Sequence, residues 1–140
     1  MNASEVKKQV LWADDEIDLL RPHAMFLGER GYEVTPVTNG DDAIDMVQKH
    51  SFDIVLLDEM MAGRDGLSTL AAIKDINPNI PVIMITKNEE ERLMEDAIGQ
   101  RIDDYLTKPV NPSQILMACK KQLDARQIQK DRMGVGYTSA

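Results

Sequence analysis

Five short apolar runs recur along the chain, each followed by a longer amphipathic stretch. They are "QVLWA" (9 to 13), "EVTPV" (33 to 37), "DIVLL" (53 to 57), "PVIMIT" (81 to 86) and "DYLT" (104 to 107). Runs this short and this apolar predict strands, and the amphipathic segments between them predict crossover helices. The alternation is that of βα units, in which a parallel sheet is covered by helices on both faces. With 140 residues, 43% of them hydrophobic, the chain has enough material for one core and too little for two.

The helices carry their own punctuation. Asn39, Gly40 and Asp41 precede the apolar face of Ala43, Ile44 and Val47. Leu67, Leu70, Ala71 and Ile73 form a second face that stops at "NPNIP", where two prolines end the helix. Asn88 is placed to cap "EEERLMEDAIG", whose acidic first turn suits the helix dipole and whose end is marked by Gly99. Asn111 and Pro112 open the last helix, in which Ile115, Cys119 and Leu123 recur every four residues. In the first helical stretch, "EIDLLRPHAMFLGERG", Pro22 predicts a kink. Periodicity fades after about Arg132, so residues 1–125 are expected to form the domain, and 126–140 the end of the last helix and a tail or linker.

Charge and composition exclude several functions. A formal charge of −8 repels phosphate backbones and anionic lipid, so no direct nucleic-acid or membrane binding is expected. The longest apolar runs, "IVLL" and "VIMI", fall far short of the ~20 residues of a membrane span. "MNASEVKKQVLW" has no apolar region of signal-peptide length, and a cytoplasmic location is expected. The one cysteine, Cys119, excludes an internal disulfide and a thiolate cluster and reads as core. His23 and His50 stand alone on helices and read as surface or packing residues, and the nine methionines as core filling.

In an open parallel α/β sheet, ligands bind beyond the carboxyl ends of the strands, where strand order reverses. Those ends carry Asp14, Asp15 and Glu16 after the first strand, Asp58 on the third, Thr86 on the fourth, and Lys108 with Pro109 after the fifth. Any one of the acids or Thr86 could be a cap or turn residue, and Lys108 a solvated lysine. Their convergence on one edge is harder to explain that way. Gathered carboxylates repel one another unless a cation sits between them. Hard oxygen ligands without His or Cys select Mg²⁺, which leaves coordination positions open to phosphoryl oxygens. A carboxylate in that setting is a competent nucleophile for phosphorus. Lys108 can neutralise the oxygens of the transferring group, and Thr86 can donate a hydrogen bond to one of them. In "IVLLDEMMAGRDG", Gly63 and Gly66 would let the loop after Asp58 fold close to the site.

Taken in order, "ADDE", "LLDEMMAGRDG", "MIT" and "DYLTKP" resemble the receiver domain of two-component response regulators, over roughly residues 8–125. The resemblance implies a flavodoxin-like (βα)5 fold with strand order 2-1-3-4-5. It implies that Asp58 accepts a phosphoryl group from a sensor histidine kinase or phosphotransfer protein, the domain catalysing only its own phosphorylation and dephosphorylation. Mg²⁺ would be held by Asp15, Asp58 and the backbone carbonyl of Met60, with Asp14 acting through water. Lys108 would pair with the phosphoryl oxygens, and its bond to Pro109 would be cis. Thr86 and Tyr105 would couple phosphorylation to the face made by the fourth helix, fifth strand and fifth helix, where receivers dimerise or dock outputs.

Several positions depart from the family pattern. Ala62 replaces the usual proline, Lys87 follows the switch threonine in place of Ala or Gly, and Arg101 and Ile102 replace a common "GA". Met60 and Asn88 occupy positions that tune phosphate lifetime in the family. "LWADDEIDLLRPH", "MITKNEEE" and "KPVNPSQIL" further resemble PorX-type regulators, which are linked to type IX secretion. In these the receiver precedes an output domain of the alkaline-phosphatase superfamily, so an output domain C-terminal to this segment is expected.

Other readings fit less well. A phosphatase of the haloacid dehalogenase type needs a second aspartate two residues after the nucleophile, where Met60 stands. A flavodoxin binds its phosphate with neutral donors, and "ADDE" would repel it. A receiver-like interaction module that works without phosphorylation is the remaining alternative, favoured by Lys87 and Ala62.

Overall fold

The computed structural model describes residues 6–87 and 101–138. Five strands, β1 (Lys8–Ala13), β2 (Tyr32–Val37), β3 (Ile54–Asp58), β4 (Val82–Thr86) and β5 (Asp104–Thr107), form one sheet of order β2-β1-β3-β4-β5. Every pair is parallel. This is the flavodoxin-like order, and strand order reverses between β1 and β3.

Side-chain alternation along the strands divides the core in two. Leu11, Ala13, Val55, Leu57, Val82 and Met84 face one side, against Ala43 and Val47 of α2 (Gly40–Lys49) and Leu70 and Ile73 of α3 (Gly66–Ile76). Val10, Trp12, Ile54, Leu56, Ile83 and Ile85 face the other, against Leu27 of α1 (Arg21–Gly28) and Ile115, Ala118 and Cys119 of the C-terminal helix (Pro112–Thr138). Each fully buried Val, Leu, Ile or Met among them contributes ~1.5–3 kcal/mol of transfer free energy. The central strands are therefore apolar on both faces, which is why they read as continuous runs.

The helix caps form where the side chains allow. Asn39 Oδ1 accepts the Asp42 N–H at 2.8 Å, and Asp65 Oδ1 accepts the Ser68 N–H at 2.8 Å. At the C-terminal helix the cap is reciprocal: Asn111 Oδ1 takes the Gln114 N–H and Gln114 Oε1 takes the Asn111 N–H, both at 2.9 Å.

The first helical stretch differs from expectation. A 3₁₀ turn over Ile17–Leu20 precedes α1, and Pro22 occupies the first turn of α1. There a missing N–H costs nothing, so Pro22 helps to start a helix and does not kink one. The C-terminal helix runs on to Thr138, past Arg132, where the loss of periodicity predicts a tail. The helix expected over residues 88–99 lies outside the described residues.

An ion pair not anticipated from the sequence ties α3 to the sheet. Lys74, only 6% exposed, donates to the Ile80 carbonyl at 2.6 Å and to Asp103 Oδ2 at 2.9 Å. The same Asp103 oxygen accepts the Val82 N–H at 2.8 Å at the entry to β4.

Candidate functional site

The carboxyl ends of β1 and β3 bring Asp14, Asp15 and Asp58 together, with ligand oxygens that all lie within 4.8 Å of one another. Asp14 and Asp58 are 1% and 3% exposed, whereas Asp15 faces solvent. Local turns orient the two buried acids in the same way. Asp14 Oδ1 accepts the Glu16 N–H at 2.8 Å, and Asp58 Oδ1 accepts the Met60 N–H at 3.2 Å. Each is a side chain bonded to the backbone two residues on, a geometry aspartate adopts readily. Their other oxygens face Lys108, whose Nζ lies 3.6 Å from Asp14 Oδ2 and 3.1 Å from Asp58 Oδ2. Lys108 is set in place by its own backbone, which donates to the Thr86 carbonyl at 2.8 Å. The Lys108–Pro109 bond is cis, as expected.

The loop after Asp58 returns close to the strand end. The Gly66 N–H reaches the Glu59 carbonyl at 2.9 Å. A Cβ at Gly66 would lie 2.8 Å from both the Asp58 carbonyl oxygen and Glu59 Cα, so no larger residue fits without a shift of backbone. Gly63 has φ +84°, a left-handed conformation that glycine adopts freely.

The electrostatics of the cluster are unbalanced. Burial pushes the Asp58 carboxyl above its ordinary range, and the Asp14 charge adds to this against the opposing pull of Lys108. Burial also works against the Lys108 ammonium, but Asp58, Asp14 and Glu16 outweigh it and raise its pKa. The Asp58 shift thus comes first from burial and then from the neighbouring Asp14 charge, and the Lys108 shift from the carboxylates around it, an excess of negative charge that a single ammonium does not neutralise. Three oxygen donors with a net negative balance, two of them buried, fit a hard divalent cation, for which Asp14, Asp15 and Asp58 are the available side chains.

The remaining expected residues are distributed as follows. Thr86 is 1% exposed at the end of β4, yet its hydroxyl donates to Glu59 Oε2 at 2.6 Å. The Tyr105 ring is buried in β5 beside the α2–α3 core. The Met60 side chain is exposed, and its N–H is the group that meets Asp58. Ala62 and Lys87 are exposed. Lys87 lines, with Asp14, Glu16 and Lys108, the polar side of a cavity of about 530 Å³ over Trp12 and Ile85. Asn88 lies outside the described residues.

Cys119 is fully buried, and burial pushes its thiol up to about 12, so it is an inert core residue. His50 is exposed at the end of α2, whereas His23 Nε2 sits 2.9 Å from the Val110 carbonyl and joins α1 to the loop after β5. Glu59 was not singled out from the sequence. The signal for it is its place next to Asp58, because the Asp58↔Ile85 register sets position 59 beside Thr86.

Comparison with known proteins accords with this geometry. Residues 10–120 match the family described as response regulator receiver domain. The chain is 32% identical over 126 residues to the alginate biosynthesis transcriptional regulatory protein AlgB of Pseudomonas syringae pv. tomato, covering 90% of this chain and 28% of that one. It is 32% identical over 115 residues to the transcriptional regulatory protein ResD of Bacillus subtilis, covering 82% of this chain and 48% of the relative. The chain thus spans less than half the length of these longer regulators. Among solved structures, a CheY-like receiver domain protein of Methanospirillum hungatei superposes with a TM-score of 0.79 at 26% identity, over 88% of this chain and 98% of that one. NtrX from Brucella abortus superposes with a TM-score of 0.81 at 25% identity, over 93% of this chain and 30% of that one. Among the described residues no helix is long and apolar enough to cross a membrane. A CheY-like sheet with an acidic cluster at its reversal point, matched along most of its length, places this chain in the response regulator receiver family, as a phosphoacceptor signalling module of two-component systems.

Proposed function

We propose that Asp58 is the phosphoacceptor and that Asp14, Asp15 and the Met60 carbonyl complete, with Asp58, a Mg²⁺ site. The observation that carries this reading is the arrangement of two nearly buried carboxylates around Lys108, each with one oxygen held by a backbone N–H and the other facing the ammonium. An Asp58 oxygen forms the new bond to phosphorus as the P–N bond of a kinase or phosphotransfer-protein phosphohistidine breaks, and the departing imidazole nitrogen takes a proton. When bound, Mg²⁺ supplies the positive charge the acidic cluster lacks and oxygen-coordination positions for the phosphoryl group. Lys108, 3.1 Å from Asp58, pairs with phosphoryl oxygens on the same side. Thr86 donates its hydroxyl to one of these oxygens, and Tyr105 with β5 passes the change to the neighbouring helical face, where an output domain or a second copy docks.

The domain works in the cytoplasm with a sensor histidine kinase, as part of a longer regulator like the relatives it matches. The PorX-type motifs make an output domain of the alkaline-phosphatase superfamily, following the C-terminal helix, the favoured one. The test is incubation with acetyl phosphate and Mg²⁺ followed by intact mass. The expected result is a gain of one phosphoryl group that EDTA prevents and that Asp58→Asn abolishes. Lys87 at the cavity's polar side favours the other reading, a module that works without phosphorylation, and an unchanged wild-type mass would select it.

A further inference from the structure

We infer that Glu59 is a positioning residue that holds the Thr86 hydroxyl back from the phosphoacceptor and thereby sets the threshold for switching, an inference that rests on Asp58 being the phosphoacceptor. The contact is short, 2.6 Å from Thr86 Oγ1 to Glu59 Oε2, within the range of a hydroxyl donating to a charged oxygen. Glu59 is anchored at both ends of its peptide unit, its N–H on the Ile85 carbonyl at 3.0 Å and its carbonyl on the Gly66 N–H at 2.9 Å. The clash that any Cβ at Gly66 would make with Glu59 Cα at 2.8 Å shows how tightly this backbone is enclosed. The carboxylate is therefore presented to β4 by a fixed backbone, and the Thr86 it meets is itself 1% exposed.

A threonine hydroxyl has one proton to donate. In the unphosphorylated protein Glu59 receives it. A phosphoryl group on Asp58 would bring oxygens carrying roughly −1.5 to −2 charge, which compete for that proton and repel the neighbouring Glu59 carboxylate. Breaking the Thr86–Glu59 bond is thus a cost set against the gain of the Thr86–phosphoryl bond. A neutral or shorter residue at 59 lowers that cost, so the activated state forms more readily.

The test uses beryllofluoride with Mg²⁺ as a phosphoryl mimic, titrated into wild type, Glu59→Gln, Glu59→Ala, Thr86→Ala and Glu59→Ala/Thr86→Ala. Binding is followed by the fluorescence of Trp12, the chain's single tryptophan, which lines the same cavity as Asp14 and Lys108. Glu59→Ala is expected to bind about tenfold more tightly than wild type, the loss of one competing charge-assisted hydrogen bond. The near-isosteric Glu59→Gln, which keeps a weaker neutral acceptor, is expected to fall between. In the Thr86→Ala background the gain from Glu59→Ala should vanish. Unchanged affinity in both Glu59 variants, or an equal gain with and without Thr86, would overturn the inference, the latter because it would assign the effect to charge alone. Absence of Mg²⁺-dependent beryllofluoride binding in the wild type would instead overturn the phosphoacceptor reading of Asp58.

Discussion

At the scale of single residues, the fold carries a built-in strain of charge at Asp58. Its carboxyl titrates above the ordinary 3.8 because burial disfavours the ion, with Lys108 only partly compensating. A raised folded pKa stabilises the protein below the unfolded pKa, and that stabilisation is lost as pH rises through the folded value. Near neutral pH the ionised Asp58 therefore weakens the fold. Asp58→Asn keeps the shape and an acceptor for the Met60 N–H and Lys108 while removing the charge. Thermal melts in EDTA at about pH 7 should show Asp58→Asn unfolding higher than wild type, by about 3 °C, a shift of order 1 kcal/mol or less for a domain of this size. The difference should shrink as pH falls towards 3.8, because folded wild-type Asp58 takes up its proton above that ordinary value. A variant no more stable than wild type at neutral pH would contradict this account of the site.

At the scale of elements, comparison of two lysine ion pairs shows where charge matters for stability. Lys49 and Asp45 pair at 3.0 Å on the surface of α2 with side chains 64% and 52% exposed, and such pairs contribute ~0–1 kcal/mol. Lys74 is 7% exposed at its side chain and serves two acceptors, the Ile80 carbonyl and Asp103, joining the end of α3 to the edges of β4 and β5. Lys74→Ala would leave the Ile80 carbonyl without this donor and remove a charged partner from Asp103. Urea unfolding should register a loss of about 2 kcal/mol, whereas Lys49→Ala should change little. Equal effects from the two substitutions would mean that the buried pair does not tie these elements. The first helical stretch makes a related point about local sequence: Pro22 ends up in the first turn of α1 because the 3₁₀ turn at Ile17–Leu20 has already reset the chain.

At the scale of the whole molecule, the acidic cluster sits where the two halves of the core meet the reversal of strand order. Binding there acts on the folded state, because in the unfolded chain Asp58 is far from the adjacent pair Asp14 and Asp15. Mg²⁺ at 100 times its dissociation constant should therefore stabilise the domain by about 2.7 kcal/mol. Differential scanning fluorimetry with and without EDTA checks this. Asp15→Ala, at an exposed position, should fold as wild type does yet lose most of the Mg²⁺-dependent shift. A shift unaltered by Asp15→Ala would place the ion elsewhere.

The layout of the sheet was legible in the sequence because the information is local: central strands apolar on both faces, caps at Asn39 and Asn111, and glycines at the turn after Asp58 each declare themselves within a few residues. The acids at the strand ends were legible for the same reason, once a parallel sheet was assumed. The partners of those residues were not. That Lys108 reaches both Asp14 and Asp58, that Lys74 meets Asp103, and that Thr86 gives its proton to Glu59 all depend on strand register and on side-chain torsions fixed by distant neighbours. Composition and periodicity thus determined which groups stand at the mouth of the sheet. Only the tertiary structure decided which of them touch, because hydrogen bonds discriminate over tenths of an ångström and the segments that set those distances lie tens of residues apart.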